Sequence, residues 1–185
     1  ATLDQCTQSI INQVEQLKNM VNEFSRFARM PTASPTPANL NALIREVGNL
    51  YESGNDRVRF NFELADNLPL IDLDREQIKR VMVNLLDNAV SALGENGHVS
   101  VVTTYDPGLS IATIEVIDNG KGVPVQDRER IFDPYFTRKK GGTGLGLTIV
   151  NAIVSDHHGF IRVRDGENGG ASFVIELPVK RQFPT

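Results

Sequence analysis

The chain has 185 residues, 40% apolar and 23% charged, an ordinary globular composition with room for one real core and an appendage. A net charge of −4 argues against a general nucleic-acid surface, and the single Cys6 excludes an internal disulfide and fits a reducing compartment. No apolar run is long enough to span a bilayer and no signal peptide opens the chain, which begins in helical character at Ala1-Thr2-Leu3-Asp4 and reads as a piece of something longer.

Residues 3–28 read as one amphipathic helix. Leu3, Cys6, Ile10, Val14, Leu17, Val21, Phe24 and Ala28 recur at spacings of three and four, an a/d-like seam. One helix cannot bury such a stripe alone, so the seam calls either for a partner helix or for packing on its own domain. A partner helix is favoured, because Pro31-Thr32-Ala33-Ser34-Pro35-Thr36-Pro37 ends the helix and reads as a stiff linker that detaches it. The division expected is residues 1–30 as helix, 31–38 as linker and 39–185 as the main domain.

A second helix is predicted from about Asn39 to Glu52, with Leu40, Leu43, Ile44, Val47, Leu50 and Tyr51 on one side and Gly54 closing it. Residues 57–64 alternate Val58, Phe60, Phe62 and Leu64 and predict a strand with one buried face. Asp74 then reads as an N-cap, with Gln77 three residues on as in a capping box. The helix it starts carries Ile78, Val81, Met82, Leu85, Leu86, Ala89 and Leu93. On it Asn84 and Asn88 stand at i and i+4, one turn apart on one face. They are either a polar ledge for a ligand or metal, or plain surface asparagines.

After a turn at Gly94-Glu95-Asn96-Gly97, strands are predicted at about 98–105 and 110–117, joined by Asp106-Pro107-Gly108. The second runs into Asp118-Asn119-Gly120-Lys121-Gly122, placing a carboxylate at a sheet rim. Asp118 and Glu129 have the first-to-twelfth spacing of a calcium loop, but Gly120, Gly122 and Val123 occupy positions that such a loop needs otherwise. A short helix is expected at 125–131. Phe132-Asp133-Pro134-Tyr135-Phe136-Thr137-Arg138-Lys139-Lys140 follows, either a mobile, positively charged lid over 133–145 or a solvated basic loop.

Next come Gly141-Gly142-Thr143-Gly144-Leu145-Gly146, opening a helix with Leu147, Ile149, Val150, Ile153 and Val154 that ends near His158-Gly159. A glycine-rich turn at a helix start aims free N–H groups and the positive dipole end at an anion, phosphate above all; alone, the stretch is equally a flexible loop before an ordinary helix. It is not a Walker A loop, which needs Lys-Ser/Thr after its last glycine where this chain has Leu147-Thr148, and its spacing is not the dinucleotide fingerprint. A last hairpin is predicted with strands at about 160–164 and 171–177.

Taken together, residues 40–180 resemble the catalytic, ATP-binding half of bacterial sensor histidine kinases, a group that also includes DNA gyrase, ATP-driven heat-shock chaperones and MutL repair proteins. Four motifs carry the resemblance, in the family's order. Asn84-Leu85-Leu86-Asp87-Asn88-Ala89 resembles the N box and Asp118-Asn119-Gly120-Lys121-Gly122 the first glycine box. Phe132-Asp133-Pro134-Tyr135-Phe136 resembles the F box and Gly142-Thr143-Gly144-Leu145-Gly146-Leu147 the second glycine box. Gly169-Gly170-Ala171-Ser172-Phe173 is similar to the closing segment. Asn22-Glu23-Phe24-Ser25-Arg26-Phe27-Ala28-Arg29-Met30-Pro31 resembles the NtrY class of nitrogen-regulation kinases.

The resemblance implies an α+β fold, the two-layer α/β sandwich of the Bergerat ATP-binding type, with a preceding coiled-coil-like helix. About five strands in a mixed sheet lie under three helices. It implies ATP and Mg²⁺ as cofactors. Asp118 would accept a hydrogen bond from the adenine amino group, Gly122 would let adenine approach the backbone, and Ser172 would support Asp118 from the next strand. Asn88 would give its amide oxygen to Mg²⁺, and Asn84 would hold the metal's shell or the phosphates. Gly144 and Gly146 would put backbone N–H groups on the phosphates, with Gly120, Gly142, Thr143 and Leu145 also against the nucleotide. Lys139 would meet the γ-phosphate, with Arg138 and Lys140 as lesser candidates; Asn84 and Lys139 are thus the residues implied at the reacting group. Phe132 and Phe136 would anchor the lid.

Two departures stand out. Many family members carry a basic residue shortly after the second N-box asparagine, where this chain has Ser91, which shifts phosphate contact to the lid cations. No phosphoacceptor box is present, and His98, His157 and His158 read as structural. The acceptor is therefore expected on a helix before residue 1, making residues 3–28 the second helix of a dimerisation hairpin. The implied setting is the cytoplasmic part of an inner-membrane sensor that homodimerises through this helix and passes phosphoryl to a response regulator of the NtrX kind. This piece itself would touch neither membrane nor nucleic acid. Rival readings are an ATP hydrolase or chaperone, an anti-sigma-type serine kinase and a non-catalytic nucleotide module. Hydrolases of the group carry Glu where this chain has Asn84, which cannot take a proton.

Overall fold

The structure is a computed structural model that describes residues 3–28, 32–54, 57–94, 96–139, 141–166 and 169–180. Its longest element is helix α1 (Leu3–Ala28). Ile10, Val14, Leu17 and Val21 of the seam are 58–61% exposed, so the stripe read from the sequence faces solvent. The side chains of Leu3, Phe24 and Ala28 lie outside the described residues.

The segment after it differs from expectation. Residues 36–38 form strand β1 (Thr36–Ala38), antiparallel to β3 (Ile71–Leu73), and the Ser34 N–H donates to Asp74 Oδ2 at 3.0 Å. The proline-rich stretch is thus tied to the domain from Ser34 onward. Proline is tolerated there because β1 belongs to a two-stranded ribbon, where a missing N–H disrupts no central ladder.

The main sheet has the order β2-β4-β5-β7-β6, built from β2 (Val58–Leu64), β4 (Gly97–Asp106), β5 (Ile111–Asp118), β6 (Phe160–Asp165) and β7 (Ala171–Pro178). Only the β2–β4 pair is parallel, which makes the sheet mixed. Helices α2 (Leu40–Gly54), α3 (Arg75–Ala92) and α4 (Gly146–Asp156) cover one face, α3 in the middle. In place of the short helix expected at 125–131 there are two 3₁₀ turns, at Val125–Asp127 and Arg130–Phe132.

Period fixes this packing. On α3, Ile78, Val81, Met82, Leu85, Leu86 and Ala89 are all buried, and Asp74 caps the helix by accepting the Gln77 N–H at 3.1 Å. Burying such side chains contributes roughly 1.5–3 kcal/mol each for the larger ones, far more than the roughly 0.5 kcal/mol that each mid-helix asparagine costs. The sheet face beneath carries Val99, the register row Val101–Val116–Phe173 and the pair Ile114–Ile175. Among the described residues no second layer covers the opposite face. There Glu115 accepts Ser172 Oγ–H at 2.5 Å and Arg164 Nη2–H at 2.6 Å, and Arg162 pairs with Glu176 at 2.6 Å over the buried Val174.

Candidate active site

The two motif helices meet at one point. Asn84 Nδ2–H donates to Arg80 O at 2.8 Å, leaving its amide oxygen turned toward the start of α4. A Cβ built on Gly146 would stand 2.8 Å from that oxygen, so a larger residue there would push the Asn84 amide aside. Among the described residues no side chain caps α4, whose N-cap position is Leu145, a buried residue. The first N–H groups of an α-helix have no partner within the helix, and here they open beside Asn84. Asn88 lies one turn further along α3 on the same half-buried ledge.

Asp118 ends β5 and is 3% exposed. Its Oδ1 accepts the Gly120 N–H at 2.8 Å and the Ala171 N–H at 3.3 Å. Burial pushes its carboxyl above the ordinary value, outweighing those two hydrogen bonds and the Lys139 charge. The support expected from Ser172 is not there. In register, Ser172 faces Ile117 while Asp118 sits beside Ala171, so one residue along the strand puts Ser172 on the opposite face, bound to Glu115. The neighbour that reaches Asp118 is the Ala171 backbone, which residue type does not disclose. Gly120 and Gly122 have reasons within the protein: a Cβ on Gly120 would lie 2.5 Å from Ala92 O, and one on Gly122 would lie 2.6 Å from Gly169 O.

The basic loop is tied rather than loose. Phe132 and Phe136 pack against the core, and the Arg130 guanidinium stacks over Phe136 at 4.9 Å. Arg138 grips the buried Asp127 carboxylate, Nε to Oδ2 at 2.7 Å and Nη2 to Oδ1 at 3.0 Å, so this cation is already paired with a carboxylate. Lys139 turns onto α3, its Nζ donating to Asn88 Oδ1 at 2.8 Å and to Ser91 Oγ. Burial pushes the Lys139 ammonium pKa down, with Lys121 adding to the effect and Asp87 and Asp118 opposing it. Lys140 lies outside the described residues. Gly142 N–H closes a turn on Lys139 O at 3.1 Å, and Thr143 Oγ1 accepts the Leu145 N–H at 3.4 Å. Gly144 has φ +70°, and its carbonyl receives the Tyr135 N–H at 3.1 Å. Tyr135 itself has φ +66°, a conformation that costs a non-glycine residue on the order of 1–3 kcal/mol and concentrates at ligand clamps.

Of the three histidines, His157 has a structural role through its side chain. His157 is buried, its Nδ1 on Ile153 O at 2.8 Å and its Nε2 accepting the Asp74 N–H at 2.9 Å, which fixes the Nδ1–H tautomer. It joins the end of α4 to the start of α3. His98 is the second residue of β4, on the face away from the helices, and His158, exposed at φ +57°, follows α4. Asp118 and Glu129 form no calcium loop, the first being buried and the second exposed. Among the described residues no group of three or more His, Cys, Asp and Glu is placed to hold a metal.

This fold and this meeting of asparagine helix, buried carboxylate and glycine turn define an ATPase-type nucleotide domain. The sequence profile described as "Histidine kinase-, DNA gyrase B-, and HSP90-like ATPase" matches residues 73–181, and the chain belongs to that family. Among individual proteins, it is 34% identical to nitrogen regulation protein NtrY of Azorhizobium caulinodans over 98% of this chain and 24% of that protein. Among solved structures, the catalytic domain of histidine kinase ThkA matches 79% of this chain and 96% of its own, at 38% identity and TM-score 0.70. ThkA in complex with the response regulator TrrA matches 97% of this chain and 52% of its own, at 31% identity and TM-score 0.77. The chain spans a quarter to a half of the length of the curated relatives it matches.

Proposed function

We propose that this chain is the ATP-binding catalytic part of a two-component sensor histidine kinase, passing the γ-phosphoryl group of ATP to a histidine outside these residues for relay to a response-regulator aspartate. The observation that carries the reading is the contact of Asn84 with Gly146, which sets the uncapped start of α4 against the asparagine ledge. Phosphoryl transfer is mostly positioning and charge stabilisation, and this ledge offers both. Asp118 takes the adenine amino group, and the α4 N–H groups take the phosphates, with Gly142, Thr143, Gly144 and Leu145 shaping the turn. Asn84, an amide, orients and does not deprotonate, which favours transfer over hydrolysis. Mg²⁺ fits the donor set: a neutral amide oxygen at Asn88 that already attracts an ammonium suits a hard cation taking its other ligands from phosphate and water. Bound there, it would neutralise phosphate charge.

The exposed α1 seam supports homodimerisation through this helix in the whole protein. No helix among the described residues is long and apolar enough to cross a membrane; the setting proposed is the cytoplasmic part of an inner-membrane sensor. Likeness to NtrY supports a regulator of the NtrX kind.

The test uses γ-labelled ATP with Mg²⁺. This chain should bind ATP by calorimetry yet remain unlabelled, and a separate acceptor-helix fragment should take acid-labile label. Label on this chain alone, or free phosphate released without an acceptor, would overturn the assignment.

A further inference from the structure

Asn88 and Ser91 stand at i and i+3 on α3 and offer oxygens to one positive group. Lys139 Nζ reaches both, the Asn88 contact being 2.8 Å. Ser91 spends its own hydroxyl hydrogen on Asn88 O at 3.0 Å, so lone pairs are what it turns to the ammonium. The nearby carboxylates, Asp87 and Asp118, act on Lys139 by charge, while its hydrogen bonds go to the two neutral oxygens. Asp87 accepts Tyr51 O–H at 2.6 Å, and Asp118 Oδ1 accepts two backbone N–H groups. The lysine is therefore held by two neutral oxygens, a donor set that suits a hard cation as well as an ammonium.

The geometry points to a single cation seat formed by Asn88 and Ser91 with alternating occupants: the Lys139 ammonium in the nucleotide-free chain, and the nucleotide's divalent ion in the loaded one. Ser91 is then a second protein oxygen for that ion. The inference rests on the proposed reading of Asn88 as the metal contact. An ammonium and a divalent ion on one amide oxygen in a half-buried site repel strongly, so Lys139 holds the seat only while no ion claims it. Once displaced it is free for a terminal phosphate, and the lid loses its tie to α3. The lid therefore responds to the metal, and the base alone leaves the tie in place.

Hydrogen exchange of lid amides over 136–139 and 141–144 tests this in the full chain, comparing wild type, Lys139→Met and Ser91→Ala. ADP is the probe because it lacks the γ-phosphate that would re-engage the lysine. Without ligand, wild-type amides should exchange several-fold more slowly than those of Lys139→Met. ADP with a chelator should preserve that difference, and ADP with Mg²⁺ should erase it. Ser91→Ala should raise the Mg²⁺ concentration needed for half of the ADP effect several-fold. Equal exchange in ligand-free wild type and Lys139→Met would overturn the tie. Protection that survives Mg²⁺ and ADP, or an unchanged Mg²⁺ requirement in Ser91→Ala, would overturn the shared seat. If calorimetry finds no ADP binding in either condition, the nucleotide reading fails and the shared seat with it, while the ligand-free comparison still decides whether Lys139 ties the lid.

Discussion

Asp118 and Glu115 stand three residues apart on β5 and face opposite sides of the sheet. Burial pushes both carboxyls up. For Glu115, hydrogen bonds from Ser172 and Arg164 and the Arg162 charge win, and its pKa falls below the ordinary value. For Asp118, two backbone N–H groups and the Lys139 charge do not suffice, and its pKa stays raised. A carboxylate that completes its partners within the protein serves the fold. One whose burial outweighs its hydrogen bonds, as at Asp118, costs stability in its charged form, and perturbed groups of that kind cluster at functional sites.

The largest effect should separate the two in binding. Asp118→Ala should weaken ATP by about 5- to 150-fold, the 1–3 kcal/mol of leaving a buried polar partner unmatched. Glu115→Ala should stay within about twofold. Calorimetry giving equal losses would erase the contrast.

The next effect is on stability and its pH dependence, with opposite signs. Glu115 has a depressed folded pKa, so its contribution is present above the unfolded value and lost as pH falls through the folded one. Glu115→Gln should cost about 0.5–1 kcal/mol near neutral pH, discounted because its arginine partners are partly exposed, and the loss should vanish in acid. Asp118 has a raised folded pKa, so its penalty is fully present above that value and disappears as pH falls toward the unfolded one. Asp118→Asn should therefore stabilise the nucleotide-free domain by about 1 kcal/mol at neutral pH, a rise of about 2–4 °C in Tm, with no gain in acid. Thermal melts across pH check both, and parallel curves would contradict the account.

The smallest effect is also the sharpest on geometry. Ser172→Ala should leave ATP affinity unchanged and cost about 0.5–1 kcal/mol of stability through the lost Glu115 hydrogen bond. A clear loss of affinity would return Ser172 to the Asp118 side.

Much of this was legible in advance. The apolar periods of α2, α3 and α4, the Asp74 cap and the five main strands lie within one or two residues of where the sequence puts them, because burying one face of a helix or strand imposes a spacing that any window of the chain displays. What failed to show was pairing between distant side chains. Nothing local tells Arg138 that Asp127 will hold it, or tells His157 that the backbone at Asp74 needs an acceptor. The β1–β3 ribbon was hidden for a similar reason, since three residues with a proline at the centre carry no period.

The sequence by itself determined the kinds of element, their order and the motifs that place this chain in the histidine kinase-, DNA gyrase B- and HSP90-like ATPase family, since period, capping and glycine content are short-range properties. Tertiary structure alone decided which side each polar group serves. Cross-strand register turned Ser172 from Asp118 to Glu115. The close approach of α3 and the lid gave Lys139 to Asn88 and Ser91, across 48 to 51 positions of chain. Those choices follow from which surfaces meet when the core closes, and a side chain shifted one residue along a strand meets a different surface.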